Sequence, residues 1–188
     1  MIKVISFFTE DWKYSEYAQS LVNDCERLGL PYRIEPRKNT GSYSKNTRIK
    51  PYFIRDCLMS ETDNLLWVDV DGSILRYPDF LLSLHGDSDI GAKKRIDHSQ
   101  DLAWHVGTLW FNNNDATRGF VDCWCDFHAS TDDRSFDMAT KKYDVRIRDI
   151  PPEYFFIQRK TSDKVPPDTV ILHRISSGEQ KLSEKYGK

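Results

Sequence analysis

The stretch Asn64-Leu65-Leu66-Trp67-Val68-Asp69-Val70-Asp71-Gly72-Ser73-Ile74 decides the fold class. Leu65 to Val68 present no polar face, so the strand they predict is buried on both sides. The run then meets two carboxylates and a glycine, as a chain does when it leaves the core at a strand end. In open α/β sheets ligands bind beyond the carboxyl ends of the strands. On extended backbone, residues two apart share a side, so Asp69 and Asp71 are expected to face one ion, directly or through water. Two neighbouring carboxylates resist joint ionisation unless a cation lies between them. A hard, oxygen-seeking ion, Mn²⁺ or Mg²⁺, suits such a pair, with its remaining positions open to water and phosphate oxygens.

The sequence around this strand alternates strand and helix. Upstream, Lys3–Phe8 predicts a buried strand. Tyr14, Tyr17, Ala18, Leu21, Val22, Cys25 and Leu28 recur at helical spacing, and Gly29 stops that helix. Tyr32–Glu35 reads as a strand, Lys38–Asn46 as a polar loop, and Pro51 opens a helix burying Phe53, Ile54, Cys57 and Leu58. Downstream, Pro78–Leu84 suits a short helix, Ile90–Ala92 a strand edge and His105–Phe111 another apolar strand. A helix carrying Phe120, Val121, Trp124 and Phe127 follows, then a helical turn at Phe136–Ala139. Strands near Val145–Ile147 and Val170–Leu172 complete the chain. This alternation implies right-handed crossovers and a mostly parallel central sheet flanked by helices: class α/β, a single Rossmann-like domain over residues 1–188.

Composition narrows the function classes. The 188 residues suffice for one core, and the net charge of −2 excludes a general polyanion binder. Cations do concentrate between Arg27 and Arg55, where eight Lys and Arg face the single acid Glu35. Such a segment serves a phosphate-bearing ligand or a solvated face. No apolar run has the length of a membrane span, and the N-terminus reads as a strand rather than a signal peptide. A cytoplasmic protein with reduced thiols is therefore expected. Cys25, Cys57, Cys123 and Cys125 show no zinc-ligand spacing, and Cys123 and Cys125 point to different faces of a helix.

Two families contain an apolar strand followed by Asp-x-Asp. Val68-Asp69-Val70-Asp71-Gly72-Ser73-Ile74-Leu75 resembles the opening motif of haloacid-dehalogenase-like phosphatases, in which the first Asp is a nucleophile and the second a general acid/base. That motif normally occupies the first strand of its domain. Here a whole strand-helix-strand-helix unit precedes it, and the only adjacent acids downstream, Asp132 and Asp133, follow the end of a helix instead of the apolar strand that family requires.

The sequence is more similar to the GT-A nucleotide-diphospho-sugar transferases, over about residues 2–182. The resemblance rests on the nucleotide-side loop Phe8-Thr9-Glu10-Asp11 and on Lys50-Pro51-Tyr52-Phe53-Ile54 ahead of the metal strand. It rests further on the Asp-x-Asp motif itself, and on His105-Val106-Gly107-Thr108-Leu109-Trp110-Phe111-Asn112, a Gly-containing strand ending in Asn. Looser matches are Phe136-Asp137 followed by Ile150-Pro151-Pro152-Glu153-Tyr154, and Ile171-Leu172-His173. The usual Gln or second acid beside Asp137 is missing.

The resemblance implies a metal-dependent glycosyltransferase with a nucleoside-diphosphate sugar donor, a UDP-sugar being favoured. It implies that Asp69, Asp71 and His173 hold the metal. Thr9 and Tyr14 would contact base and ribose, and Arg48, Lys50 and Lys181, with Ser176 and Ser177, the diphosphate. Gly107 and Thr108 would border the donor sugar, and Asp137 would act as general base if the reaction inverts. The acceptor is open; the basic segment permits a nucleic acid, although no nucleic-acid-binding motif is present. A degenerate domain that binds nucleotide-sugar without turnover is the further alternative. A nucleotidyltransferase, which needs a Gly-rich loop after its first strand, does not fit the glycine-free Phe8–Tyr17.

Overall fold

The computed structural model describes residues 1–10, 13–96 and 102–174. In chain order the elements are β1 (Ile2–Thr9), α1 (Tyr14–Leu28), β2 (Tyr32–Arg37), α2 (Tyr43–Thr47), α3 (Ile49–Ser60), β3 (Asn64–Val68) and β4 (Gly72–Ile74). Then come α4 (Asp79–Leu82), β5 (Ile90–Lys94), β6 (Trp104–Phe111), α5 (Asp115–Cys125), α6 (Asp132–Lys142), β7 (Ile147–Asp149), a 3₁₀ turn (Pro152–Tyr154), β8 (Phe156–Gln158) and β9 (Ile171–Arg174).

Six strands form the central sheet in the order β2-β1-β3-β6-β5-β7. The alternation of β3 explains its place near the middle. Leu65 and Trp67 pack with Phe53, Phe120, Trp124 and Phe136 on the face covered by α3, α5 and α6. Leu66 and Val68 pack with Leu21, Cys25, Ile74 and Ile171 on the other face. Each such side chain contributes roughly 1.5–3 kcal/mol by leaving water, so a one-residue slip would be costly on both faces at once. Helix α1 is held to the second face by Ala18, Leu21 and Cys25. It stops at Gly29, which adopts a left-handed φ of 65° while the N–H groups of Gly29 and Leu30 bond the carbonyls of Glu26 and Cys25.

The sheet is mostly parallel, as expected, and carries two antiparallel pairs. β1–β2, β1–β3 and β5–β7 are parallel, whereas β3–β6 and β5–β6 are antiparallel. Hydrophobic patterning fixes which faces of a strand are buried and carries no sign of its direction. Ile90–Ala92, read as a strand edge, lies inside the sheet between β6 and β7. The last strand does not join this sheet at all: β9 pairs with β4 and β8 in a second, three-stranded sheet.

Local boundaries also shift. The polar loop contains α2, because Ser42 is extended and its hydroxyl accepts from the Lys45 N–H. The expected turn at Phe136–Ala139 is the middle of the 11-residue α6, capped by Thr131, whose side chain accepts from the Arg134 N–H.

Candidate active site

β3 ends at Val68, and the next four residues make a tight turn in which the Gly72 N–H donates to the Asp69 carbonyl at 2.7 Å. Asp69 and Asp71 are therefore brought to one cleft by a turn rather than by continued extended backbone. The residue sharing a strand face with Asp69 is Trp67. Gly72 then starts β4, which runs antiparallel to β9 with Gly72 opposite His173. That register brings the imidazole to the aspartate turn.

Antiparallel β6 completes the floor. Val68 pairs with Thr108, and the Asp69 N–H donates to the Gly107 carbonyl at 2.8 Å. The reversed strand thus offers its beginning to the cleft, and Asn112 lies at the opposite end. There the Asn112 amide meets His85 Nδ1 at 3.2 Å and donates to the Ser88 carbonyl at 3.3 Å.

The cleft encloses about 320 Å³, within the usual range for a ligand pocket. Thr9, Tyr14, Lys50, Asp69, Asp71, Gly107 and His173, each expected at the site, line it. Thr108 stands behind, wholly buried, with Oγ1 2.7 Å from His173 Nε2. Lys181, Ser176, Ser177 and Asp11 lie outside the described residues.

Two expected residues are turned away. Arg48 Nε donates to the Ala129 carbonyl at 3.1 Å, tying α3 to the loop before α6, and does not line the cleft. Asp137 lies in the second turn of α6 and faces the protein interior. Its Oδ2 accepts from the Ala103 N–H at 2.6 Å, and its Oδ1 is buried without a partner among the described residues. Because α6 begins at Asp132, the acids that reach the cleft are Asp132 and Asp133. Expected to follow the end of a helix, they instead open one. Their signal was Thr131 followed by two acids, the pattern of a capped helix start.

Lys50 is the electrostatic centre of the floor. It is 3% exposed. Its ammonium pairs with Asp69 Oδ1 at 2.8 Å and with Asp132 Oδ2, donates to the Val106 carbonyl at 3.2 Å, and lies 5.1 Å from the centre of the Trp67 ring. Burial opposes its charge, but Asp132 and Asp69 outweigh burial and hold it protonated, above the ordinary lysine range. Asp69 is raised above the usual carboxylate range, by burial first, against the pull of Lys50 and with repulsion from Asp71 and Asp132. Asp133 is raised as well, by burial and then by Asp132, although Arg95 Nη2 donates to its Oδ1 at 2.9 Å. His173 is pushed down to about 3, by burial first and then by Lys50 and His105, and is neutral at physiological pH.

An aromatic wall closes one side. Phe155 stacks on His105 at 4.5 Å and packs against His173 at 4.6 Å. Between this wall and the aspartates the space is kept bare by Gly107. A Cβ there would lie 2.9 Å from Phe155 Cε2, 3.2 Å from His173 Cε1 and 3.3 Å from Asp69 Oδ2.

No protein-family model matches the chain, and no curated protein matches it. Solved structures do. A glycosyltransferase involved in the glycosylation of the major capsid of PBCV-1 matches with a TM-score of 0.69 at 13% identity, over 98% of this chain and 97% of that one. The glycosyltransferase GlyE of Streptococcus pneumoniae TIGR4 gives 0.63 at 12% identity, over 92% of this chain and 55% of that one. The galactosyltransferase LgtC, in complex with donor and acceptor sugar analogues, gives 0.57 at 12% identity, over 92% and 87%. At these identities the likeness is one of fold. The chain has the GT-A-type fold of glycosyltransferases, with its cleft at the carboxyl ends of β1 and β3.

Proposed function

We propose that the protein is a metal-dependent glycosyltransferase that moves a sugar from a nucleoside-diphosphate sugar, a UDP-sugar being favoured, to an acceptor hydroxyl. The observation that carries this reading is the bare space beside Gly107, faced by Asp69 Oδ2 and His173 in a cleft to which Asp71, Asp132 and Asp133 also belong. Among the described residues the cations of this cleft are Lys50, Arg95 and Arg174, and each is already engaged.

The residues fit Mn²⁺ or Mg²⁺ in one respect and bound it in another. Oxygen donors on Asp69 and Asp71 suit a hard cation. Among the described residues no three His, Cys, Asp or Glu form a ready metal cage. The fit is therefore to an ion whose shell the diphosphate and water complete, as is common for Mg²⁺ beside phosphates. Asp69 and Asp71 would hold it. His173 joins them when its Nε2–H donates to Thr108 Oγ1 and leaves the Nδ1 lone pair free. When bound, such an ion offsets charge on the departing nucleoside diphosphate.

The chain's own groups divide the remaining work. Thr9 and Tyr14, which line the cleft, would contact base and ribose. Gly107 lets a sugar lie against backbone. His105 and Phe155 form a stacked wall that excludes water from the anomeric carbon. Asp133, made more basic by burial, takes the general-base role expected of Asp137, receiving the acceptor hydroxyl proton. The carboxylates that line the cleft would repel the phosphates of a nucleic acid, which favours a neutral acceptor. The phosphatase alternative has no comparable support, since β3 follows two strands of the same sheet and its structural neighbours are glycosyltransferases.

The test is release of nucleoside diphosphate from UDP-glucose, UDP-galactose and GDP-mannose with Mn²⁺, in wild type and Asp71→Asn. Turnover of one donor, lost in the variant, is the expected result. Intact donors together with hydrolysis of a phosphate monoester would replace the proposal with the phosphatase.

A further inference from the structure

Trp67 is buried at 2% exposure, yet it is not merely core. Phe7 and Phe53 pack on its ring at 5.5 and 6.0 Å, which fixes the indole. Its Nε1–H is aimed out of this aromatic cage and donates to Asp69 Oδ1 at 2.9 Å. The same oxygen also receives the Lys50 ammonium. A carboxylate torsion is broad and roughly two-fold, so by itself it would not decide which oxygen faces the cleft. Two donors on Oδ1 decide it: Oδ2 is left facing the bare space beside Gly107 and His173.

The two donors differ in strength of commitment. Lys50 has three N–H groups and three acceptors, Asp69, Asp132 and Val106, and an ammonium rotates freely among them. The indole has a single N–H in a fixed ring, and it donates that N–H to Asp69 Oδ1. If Oδ1 swung away, that N–H would lose its acceptor.

We propose that Trp67 is a positioning residue for the metal site: its indole N–H locks Asp69 so that one oxygen alone, Oδ2, is offered to a divalent cation. The inference rests on the proposed metal-binding role of Asp69 and Asp71. It also explains the chemistry of a Trp two residues before the first aspartate, where an aliphatic residue would fill the core equally well. Groups that hold a metal ligand from behind typically change metal affinity about 10- to 100-fold when removed.

The test is a titration with Mn²⁺ alone, read by the electron paramagnetic resonance of free Mn²⁺, on wild type, Trp67→Phe and Asp71→Asn. Phe keeps an aromatic ring between Phe7 and Phe53, removes the N–H donor and fills the site with a smaller ring, so the folded state is checked alongside. The expected result is a Mn²⁺ dissociation constant at least about tenfold weaker in Trp67→Phe than in wild type, with thermal unfolding confirming a folded variant. Equal affinity in wild type and Trp67→Phe overturns the positioning role while leaving the metal site standing. Failure of wild type to bind Mn²⁺ better than Asp71→Asn overturns the metal reading on which it depends. Should Trp67→Phe not fold, the indole N–H resonances of the ¹⁵N-Trp-labelled wild type decide. One indole that moves with Mg²⁺, and does not in Asp71→Asn, supports the lock; none that moves overturns it.

Discussion

Replacing Lys50 with methionine keeps a long apolar stem and removes the one charge that faces both Asp69 and Asp132. Breaking a buried ion pair from one side costs about 3–5 kcal/mol, because the remaining charge stays buried without compensation. The Asp132 side chain is 8% exposed and bears this cost in full, whereas that of Asp69 is 38% exposed and recovers part of its hydration in the cleft. The lower end, about 3 kcal/mol, is therefore expected. For a chain of this length that corresponds to a fall in Tm of about 6–12 °C. The sign with pH follows from Asp69, which burial raises above the usual carboxylate range and Lys50 pulls down. With Lys50 gone the loss is greatest near pH 8 and shrinks toward pH 5 as Asp69 takes up a proton. Thermal unfolding of wild type, Lys50→Met and Lys50→Met/Asp132→Asn at both pH values measures it. The double variant should recover part of the loss by neutralising the more buried partner. A fall of less than 2 °C at pH 8, with no recovery in the double variant, would refute the view that Lys50 is the electrostatic centre of the cleft floor.

Other consequences concern single groups. His173, pushed down to about 3 from the usual 6.5, binds no proton in the folded state where the unfolded chain does. Stability is therefore lost as pH falls below about 6.5, by roughly 2 kcal/mol at pH 5, and urea unfolding of His173→Asn should show a flatter profile between pH 7 and 5. Gly107→Ala places a methyl 3.3 Å from Asp69 Oδ2 and 2.9 Å from Phe155. It should cost stability only about 1–3 kcal/mol in a urea titration while abolishing Mn²⁺-dependent donor turnover. Asp137→Asn keeps an acceptor for the Ala103 N–H, and donor turnover should stay within a few-fold of wild type; a loss beyond about 100-fold would restore Asp137 as general base.

What the sequence disclosed and what it hid follow from which interactions are local. Leu65 to Val68 declared a strand buried on both faces because each side chain marks its own face. Gly29 declared a helix end because no other residue takes a φ of 65° so freely. The aspartate pair was legible from its place after the apolar run, although the turn that joins its two members was not. Strand direction is a long-range choice, so β6 was recognised as a strand and its reversal was not. That one reversal carries Asn112 away from the cleft and brings in His105 and the Val106 carbonyl. Lys50 and Asp132 are 82 positions apart in the numbering, and nothing near either residue shows that they share a buried contact. Asp132 and Asp133, by contrast, carry a local helix-start signal in Thr131, whose side chain caps α6.

The account stands on a nucleotide site that needs both the aspartate turn and a metal. Its most direct test is thermal unfolding of wild type and Asp69→Asn/Asp71→Asn with UDP, GDP and their sugar conjugates, with and without Mn²⁺. The account predicts stabilisation by one nucleoside diphosphate that requires Mn²⁺ and disappears in the double variant. Stabilisation equally strong without metal, or unchanged by loss of both carboxylates, would contradict it.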